Sequence, residues 1–285
     1  MRSRQFAGRF GVISSMGTIH KLNMERFDGF ADIYDEARPR CPEAVTAIAR
    51  RYLDGRPDTV VDLGSGTGRS ALVWKDAASY VVGVEPNADM IERARRNADG
   101  AVNVGFVRRF SNDTGLPDAF ADVVTCSQAF HWMEPVSTLR EVNRILKPQG
   151  LFMIIDADLT PVCNWKAEYV FRKFAKMLKD IETNDPDISA TFVRWSRDKH
   201  LGSLAQSGHF MFVREIVFSN TETFTADRMI RMAMSLGGLQ TVLKRKPELI
   251  RESLAEYEEG IREIFGEQTF EAQFGYRVTV GVKSA

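Results

Sequence analysis

The sequence predicts an α/β protein whose core is a Rossmann-like, seven-stranded and mostly parallel sheet with helical cap insertions. Apolar, β-branched runs alternate with segments of helical periodicity over residues 1–156, which is the pattern of successive βαβ units. A glycine-rich turn, Gly64–Gly68, follows the first run directly and precedes another helical segment. Two further apolar runs in the last 74 residues supply the remaining strands.

Each predicted strand is a short apolar run, rich in β-branched residues and bounded by turn signals. Five of the seven lie before residue 157, and the last two are separated from each other by an inserted helical region. The seven segments are Thr59–Asp62, Tyr80–Glu85, Asn103–Val107, Asp122–Cys126, Leu151–Asp156, Phe212–Phe218 and Gly275–Val282.

The segment Pro42–Leu53 is predicted to be a helix that covers the sheet, since proline stands at a favourable first helical position. Its apolar stripe consists of Val45, Ile48, Ala49 and Tyr52. Three more helices are predicted between the strands, and the last of them ends at the helix stop Lys147–Gly150. They span Arg69–Lys75, Asn87–Ala98 and Val136–Leu146.

The regular alternation stops after Asp156. A structureless loop of about 55 residues would be unusual in a compact domain, so the amphipathic stretch Ala167–Lys179 predicts a helical cap over the end of the sheet. A second helical insertion is predicted over Ala226–Gly266. The predicted units are an N-terminal arm and ligand cover (1–41), a ligand-binding core (42–156), a helical cap (157–211) and C-terminal strands with a helical insertion (212–285).

Composition and charge exclude several classes of protein. Of 285 residues, 44% are hydrophobic and 27% are charged, so the chain can bury a sizeable core and is not mainly disordered. Basic and acidic residues both number 38, which gives a formal net charge of zero. Without a global positive field, neither nucleic acid nor a membrane is an expected partner. No run reaches the roughly 18 apolar residues that a transmembrane helix requires.

The cysteines and histidines form no pattern typical of a metal site or a disulfide framework. Cys41, Cys126 and Cys163 are odd in number and include no CxxC pair, which indicates a reducing compartment and predicts a cytoplasmic location. The four histidines are scattered, so no metal is predicted.

The N-terminal segment contains no acid before Glu25, which weakly resembles an organelle transit peptide. An extended start or a helical arm is the preferred interpretation, because Met16 and Met24 are also plausible initiators. Such an arm offers a surface for a second copy of the chain. The basic residues of this segment are Arg2, Arg4, Arg9, His20 and Lys21.

The strongest local signal is the glycine turn. Gly64, Gly66 and Gly68 follow a buried strand, and glycine there lets the backbone approach a ligand while the next helix offers unpaired N–H groups. The turn predicts a site for a nucleotide-bearing cofactor. Arg69 stands where a dinucleotide fingerprint requires its third glycine, which disfavours a nicotinamide-dependent dehydrogenase.

Glu85 ends the second predicted strand, about 20 residues beyond the glycine turn, where an acid commonly accepts hydrogen bonds from a ribose diol. A glutamate after a strand is common by itself. Together with the turn, it predicts that the ligand carries a ribose.

These motifs together resemble the class I methyltransferases that use S-adenosylmethionine, and within them the small-molecule branch called methyltransferase type 11. The resemblance is strong over residues 27–156 and only architectural elsewhere. The motifs that carry it are Tyr34-Asp35-x-x-Arg38-Pro39, Asp62-x-Gly64-x-Gly66-x-Gly68, Val81–Pro86, Leu116-Pro117 with Ala121–Thr125, Ala129–Trp132, and Leu139–Leu151.

The resemblance implies S-adenosylmethionine as cofactor and S-adenosylhomocysteine as product. Asp62 is then expected to orient the turn and the sulfonium end of the cofactor, Glu85 to bind its ribose and Pro86 to lie against adenine. The turn residues that would let its amino-acid portion pass are Gly64, Ser65, Gly66 and Gly68.

The resemblance also implies that Tyr34 and Arg38 close over the cofactor, with Arg38 pairing with its carboxylate, although an ordinary surface helix explains the same residues. Alignment of the third cofactor segment places Phe110, Ser111 and Asn112 where the family usually has acids. Adenine contacts are therefore expected from these three residues, with stacking on Phe110, or from the nearby Asp113 in another register.

Ser127 and His131 follow the fourth predicted strand, at the end of the sheet where open α/β proteins bind their ligands. The imidazole of His131 is either a general base for the acceptor or an orienting residue that walls the cavity with Trp132. Ser127–Phe130 does not match the Asn/Asp-Pro-Pro-aromatic turn of many nucleic-acid base methylases.

The expected reaction is in-line displacement of the methyl group onto oxygen, nitrogen or carbon of a small, partly apolar metabolite. Trp132, Phe130, Trp165 and Tyr169 are the predicted pocket residues, although such aromatics are more often core. The alternatives left open are an RNA or protein methyltransferase, a non-catalytic regulator that binds the cofactor, and a dinucleotide oxidoreductase.

Overall fold

The computed structural model describes residues 16–285. Within them, seven strands form one sheet. The strands are β1 (Thr59–Leu63), β2 (Tyr80–Val84), β3 (Val104–Val107), β4 (Ala121–Ser127), β5 (Leu146–Ala157), β6 (Phe210–Phe224) and β7 (Phe270–Lys283).

The sheet has the order β3-β2-β1-β4-β5-β7-β6. Strands β1 to β5 run parallel, and β7 lies antiparallel between β5 and β6. The predicted seven-stranded, mostly parallel α/β fold is confirmed. Because β1 lies between β2 and β4, the winding reverses there and opens a crevice at the carboxyl ends of these three strands.

Twelve α-helices and three 3₁₀ helices surround the sheet within residues 16–285. The α-helices are α1 (Met16–Glu25), α2 (Ala31–Ala37), α3 (Ala44–Tyr52), α4 (Arg69–Leu72), α5 (Ala88–Asn97), α6 (Pro135–Ile145), α7 (Trp165–Asn184), α8 (Pro186–Ser189), α9 (His200–Gln206), α10 (Ala226–Met234), α11 (Gly237–Arg245) and α12 (Arg251–Phe265). The 3₁₀ helices are Phe130–Trp132, Arg197–Lys199 and Pro247–Leu249.

Helices cover both faces of the sheet because its central strands are apolar on both sides. Val60 and Val61 of β1 point to opposite faces, and both are fully buried. Val45 of α3 belongs to the core cluster on the Val60 side, whereas Leu139 of α6 belongs to the cluster on the Val61 side. The alternation along each strand therefore fixes which helix lies on which face.

The two helical insertions pack together as one layer that continues the core. The ring of Phe174 in α7 stacks on Tyr257 of α12 at 4.8 Å between centroids. The Tyr257 hydroxyl donates to the carbonyl oxygen of Met229 in α10, at 2.8 Å. The predicted unit boundaries at 41, 156 and 211 stay predictions, and β6 begins at Phe210, within the segment assigned to the cap.

Several predicted boundaries differ from the structure: β6 and β7 are longer than predicted, and two helix ends lie elsewhere. The helix predicted over 69–75 is α-helical only to Leu72 and continues as tighter turns, such as Trp74 N–H to the Ala71 carbonyl, because Trp74 turns into the core and is fully buried. The predicted helix stop at Lys147–Gly150 already belongs to β5, since Leu146 pairs with Ala121 ahead of an irregularity in the register.

Of the basic N-terminal segment, the structure describes α1, which is consistent with a helical arm. Arg2, Arg4 and Arg9 lie outside the described residues, and so does most of the arm that was predicted to contact a second subunit. Among residues 16–285, no helix combines the length and apolar character needed to cross a membrane.

A buried ion pair fastens the N-terminal segment to the cap. Arg26, directly after α1, pairs with Glu182 of α7, and both are less than one-tenth exposed. A second nitrogen of Arg26 donates to Thr241 Oγ1 of α11 at 3.3 Å. Three elements that are distant in sequence thus meet at one guanidinium group.

Replacing Glu182 with leucine is expected to lower the free energy of unfolding by about 3–5 kcal/mol, because Arg26 is then buried without a counter-charge. The double variant Arg26→Met/Glu182→Leu is expected to recover much of this loss. Urea denaturation of the three proteins measures both effects, and equal losses in the single and double variants would contradict the explanation.

Candidate functional site

The glycine turn lies where β1 ends between β2 and β4. Gly64 and Gly68 have φ angles of 65° and 82°, in the left-handed region that favours glycine. A Cβ at Gly64 would lie 2.6 Å from Ala129 Cβ, and one at Gly68 would lie 2.8 Å from Phe106 Cζ. The backbone of the turn is pressed against its neighbours on both sides, so glycine is required there for space as well as for conformation.

The Asp62 carboxylate holds the turn from behind. It is fully buried and accepts hydrogen bonds from Ser70 Oγ at 2.5 Å and from Thr125 Oγ1 at 2.7 Å. Burial raises its pKa to about 6, and the two hydroxyl donors act in the opposite direction. Asp62 therefore ties β1 to α4 and β4, and it does not belong to the cavity wall.

Glu85, directly after β2, reaches back to the turn. Its Oε2 accepts the Gly66 N–H at 2.9 Å, and its Oε1 accepts the Asn87 N–H at 2.9 Å. Burial raises the pKa of the Glu85 carboxyl to about 7, although the two backbone donors favour the ionised form. A carboxylate accepts about four hydrogen bonds, so two acceptor positions remain for a ligand.

A cleft runs along the glycine turn, and we call it the glycine-turn cleft. Its Glu85 end is a cavity of about 740 Å³ that is lined by many of the predicted cofactor residues. Its wall is mainly apolar, with a few convergent polar groups, as is usual for small-molecule sites. Of the residues that the sequence predicted, the structure brings together here Tyr34, Gly64, Gly66, Glu85, Pro86, Phe110, Ser111, Ser127 and Trp132.

The residues of α1 that cover this cleft were not predicted from the sequence, which assigned the cover to Tyr34 and Arg38. His20, Asn23 and Met24 of α1 line the cleft, and the His20 ring stacks on Phe110 at 5.4 Å between centroids. Asn23 exchanges hydrogen bonds with the backbone of Val193 at 2.8 and 2.9 Å. No local motif marks these residues, because their partners are distant in sequence.

The cleft continues past the turn to its Arg69 end, which shares Tyr34, Gly64, Gly66, Ser127 and Gln128 with the Glu85 end. Ser65 and Arg38 line this end, as predicted from the resemblance. Ser65 Oγ and Arg38 Nε are buried and have no hydrogen-bond partner among the described residues. Another Arg38 nitrogen donates to the Ser235 carbonyl oxygen at 2.9 Å, and its guanidinium lies 4.9 Å from the centre of the Tyr34 ring.

Three predicted pocket residues lie elsewhere. Phe130 is 1% exposed and packs against Phe152 and His200 in the core. Trp165 and Tyr169 are 73% and 66% exposed, because α7 buries a different face. The buried α7 residues, at helical spacing, are Ala167, Phe171, Phe174, Leu178 and Glu182.

Gly68 and Asn112 also fall outside the cleft wall. Gly68 precedes the first residue of α4 and makes room for Phe106, so its role is in packing. Asn112 is half-buried, and Asp113, the proposed substitute, is exposed. In the third cofactor segment, the cleft is therefore formed by Phe110 and Ser111.

His131 lies in the 3₁₀ helix after β4 and is 4% exposed. Its Nε2 lies 3.4 Å from a terminal nitrogen of Arg197, and its Nδ1 has no partner among the described residues. Burial lowers the pKa of His131 well below its ordinary value, and electrostatic interactions with Arg197, His200, Arg194 and Arg38 lower it further. His131 is accordingly neutral near pH 7.

A second cavity of about 1310 Å³, which we call the arginine cavity, adjoins the cleft between the cap and the sheet. It shares Phe27, Tyr34, Trp132 and Gln128 with the Glu85 end of the cleft. Its wall combines His131 with the guanidinium groups of Arg26, Arg38, Arg194 and Arg197. Two adjoining cavities suit one ligand that donates a group and another that receives it.

The comparisons with known proteins agree with the sequence motifs. A family model described as a methyltransferase domain matches residues 61–154. A Dictyostelium discoideum protein named as a methyltransferase is 26% identical over 140 residues, which cover 49% of this chain and 52% of that protein. A Bacillus subtilis (strain 168) protein named as an uncharacterized methyltransferase is 34% identical over 100 residues, covering 34% of this chain and 40% of its own length. The chain thus spans about half the length of these curated relatives.

A solved structure supports the fold. That of a protein from Anaeromyxobacter dehalogenans, described as a type II methyltransferase, has a TM-score of 0.63 at 20% identity and covers 86% of this chain and 97% of its own. The resemblance predicted from the sequence motifs is confirmed.

Replacing Glu85 with glutamine is expected to remove a pH-dependent loss of stability. The Glu85 pKa rises from an ordinary 4.5 to about 7 in the folded chain, so the native state binds more protons between these values and is destabilised as the pH rises. The stability of wild type relative to Glu85→Gln should fall by up to about 1.4 kcal/mol per pH unit in this range. Urea denaturation between about pH 5 and 8 measures it.

The matched control is Glu256→Gln, since Glu256 is exposed on α12. The difference in stability between Glu256→Gln and wild type should stay the same over this pH range, whereas the difference between Glu85→Gln and wild type should change. A parallel pH dependence of wild type and Glu85→Gln would contradict the raised pKa.

Proposed function

We propose that this chain, whose residues 61–154 match a methyltransferase-domain family model, is a class I methyltransferase of the type 11 branch and transfers a methyl group from S-adenosylmethionine to a small metabolite. The observation that carries the proposal is the position of Glu85 beside the Gly66 N–H, at the carboxyl end of the strand next to β1. That position suits a ribose diol, whose two hydroxyls donate to the carboxylate.

Residues along the whole cleft support binding of the cofactor. We expect Glu85 to bind the ribose, and Pro86 and Phe110 to contact adenine, with the His20 ring beside Phe110. At the Arg69 end, Ser65 Oγ and Arg38 Nε lack partners, which an amino acid's carboxylate and ammonium groups can supply. These unpaired atoms support binding of an amino-acid portion rather than the second nucleotide of a dinucleotide.

When bound, the cofactor supplies a methyl group made electrophilic by its sulfonium. The chain's task is then to hold the acceptor in line with that group and to exclude water, and good alignment is worth roughly 7–11 kcal/mol of the barrier. Tyr34 and Gln128 line both ends of the cleft and the arginine cavity, so donor and acceptor are expected to meet beside them. Asn23 holds α1 over this meeting point.

His131 is better suited to orient the acceptor than to remove its proton. Its lowered pKa makes it a weak base, and its Nε2 faces Arg197, which has hydrogen-bond donors only. The hydrogen is therefore on Nδ1. Between the two roles that the sequence left open, this geometry supports the orienting role.

A small acceptor suits the arginine cavity, which lies beneath the cap and is lined on one side by aromatic side chains. The three cysteines have no disulfide in the described residues, in keeping with the cytoplasmic location that we propose.

S-adenosylhomocysteine is expected to bind the purified chain, and NAD is not, because Arg69, which lines this end of the cleft, stands where a dinucleotide fingerprint has its third glycine. Isothermal titration calorimetry with both compounds tests this. Binding at 100-fold over the dissociation constant should stabilise the chain by about 2.7 kcal/mol. Tighter binding of NAD would contradict the proposal.

Glu85→Gln is expected to weaken S-adenosylhomocysteine binding roughly 10- to 100-fold, since the ribose loses a charged acceptor. In wild type, affinity should fall by up to about tenfold per pH unit below about pH 7, because only the ionised carboxylate accepts both hydroxyls. Calorimetry from about pH 5.5 to 8, with Glu256→Gln as control, measures both. Wild-type affinity that is independent of pH would count against Glu85 as the ribose ligand.

Methyl transfer itself is tested with S-adenosylmethionine carrying a labelled methyl group and a panel of metabolites. The proposal expects label in one small acceptor and an equal amount of S-adenosylhomocysteine. Tight binding of S-adenosylhomocysteine with label in no extract component would favour the non-catalytic regulator.

A further inference from the structure

The arginine cavity carries more positive than negative charge. Arg26, Arg38, Arg194 and Arg197 line it, and Glu182 is the carboxylate beside two of them. Arg38 makes no ion pair within the described residues and donates to a backbone carbonyl instead. The other carboxylate in the wall, Asp198, is 88% exposed in its side chain and pairs outward with Arg277 at 3.5 Å.

Arg197 determines how two polar residues of this cavity are arranged. One of its terminal nitrogens donates to Gln128 Oε1 at 2.9 Å and lies 3.4 Å from His131 Nε2. Because a guanidinium has no acceptor, the atoms that face it must be an oxygen and an unprotonated nitrogen. The N–H groups of both side chains are therefore the atoms turned away from Arg197.

The N–H groups that face away from Arg197 have no hydrogen-bond partners. Gln128 Nε2 and His131 Nδ1 are buried and have no hydrogen-bond partner among the described residues, and both residues line the arginine cavity. Buried donors without partners are rare in proteins and cost roughly 1–3 kcal/mol each. Both are donors, so the missing partner is an acceptor of hydrogen bonds.

Gln128 is also held in an unusual backbone conformation. Its φ is 54°, in the left-handed region that a residue other than glycine seldom adopts, and its N–H donates to the Ile155 carbonyl at 2.8 Å. Such outliers concentrate at functional sites. The side chain of this residue lines both the glycine-turn cleft and the arginine cavity.

We propose that the methyl acceptor is an anion, and that its carboxylate or phosphate group binds in the arginine cavity against the N–H groups of Gln128 and His131. This inference rests on the proposed function, since it names the class of molecule that the methyltransferase acts on. His131 acts as a neutral hydrogen-bond donor, and Arg197 is a positioning residue that acts through Gln128 and His131.

The remainder of the acceptor is apolar. Phe27, Trp132 and Trp195 line the same cavity, and the Trp132 ring has the guanidinium groups of Arg26 and Arg194 at 5.1 and 5.8 Å. Such a wall accepts a flat or aliphatic body next to a negative charge. The acceptor class is therefore a small organic acid or phosphate ester with an apolar body.

The test uses three probes of one shape: 3-phenylpropanoate, 3-phenylpropanamide and 2-phenylethyl phosphate. Their binding is measured by saturation-transfer NMR at millimolar concentration, with and without S-adenosylhomocysteine. We expect at least one anion to bind about tenfold more tightly than the amide, as for hydrogen bonds to a charged group. The ranking of the two anions distinguishes carboxylate from phosphate.

His131→Leu is expected to reduce the preference for the anion by about tenfold. His131→Asn should keep most of it, because the asparagine amide places an N–H near the position of Nδ1. A base could not be replaced in this way, so this pair separates the two roles. Arg172→Gln is the control, since it removes an exposed cation of α7 outside the cavity wall and should leave the preference unchanged.

A spectroscopic readout tests Arg197 separately. In ¹⁵N-labelled protein, the ring nitrogens of His131 should show the proton on Nδ1, and Arg197→Met should remove this tautomer preference along with the anion preference. Equal binding of amide and anions, binding of none of the probes, or full loss in His131→Asn overturns the inference. S-adenosylhomocysteine affinity, measured on the same samples, reports the proposed function independently.

Discussion

The hydrogen bond from the Gly66 N–H to the Glu85 carboxylate joins the ends of two neighbouring parallel strands, and the candidate site is arranged around it. It exists because β1 and β2 pair in register, Leu63 opposite Val84, so the residues that follow each strand come out side by side. Asp62, which precedes the same turn in β1, accepts hydrogen bonds from β4 and α4 and so holds the turn against both elements. The strands thus fix both the shape of the turn and the position of its acid.

Burying this carboxylate has an electrostatic cost that a ligand can offset. Burial raises the Glu85 pKa to about 7, so near neutral pH both the protonated and the ionised form of the carboxyl are populated. Hydroxyl donors from a ribose stabilise the ionised form, as the two backbone N–H groups already do. A ligand that donates hydroxyl groups to Glu85 is therefore the partner that this site favours.

The arginine cavity, on the other side of Gln128, also contains buried polar groups whose missing partners a ligand can supply. Arg197 pairs with Asp156, which in turn contacts His200, so this ion pair fixes the position of the guanidinium. A terminal nitrogen of the same guanidinium faces Gln128 and His131 and determines how their side chains are oriented. Donor groups left unpaired by this arrangement favour an anionic partner. One network of hydrogen bonds and ion pairs thereby connects the glycine-turn cleft with the arginine cavity.

The sequence by itself determined the strands, the glycine turn and the acid at Glu85, because strand periodicity, turn chemistry and the spacing from turn to acid are all properties of short segments. Tertiary structure decided the rest: Asn23 meets Val193 across 170 positions, and Arg197 meets Gln128 across 69. It also turned Trp165 and Tyr169 to solvent, since an amphipathic pattern shows that α7 has two faces but not which aromatic residues reach a cavity. Contacts between distant segments depend on how the helices pack on the sheet, and local patterns do not contain that information.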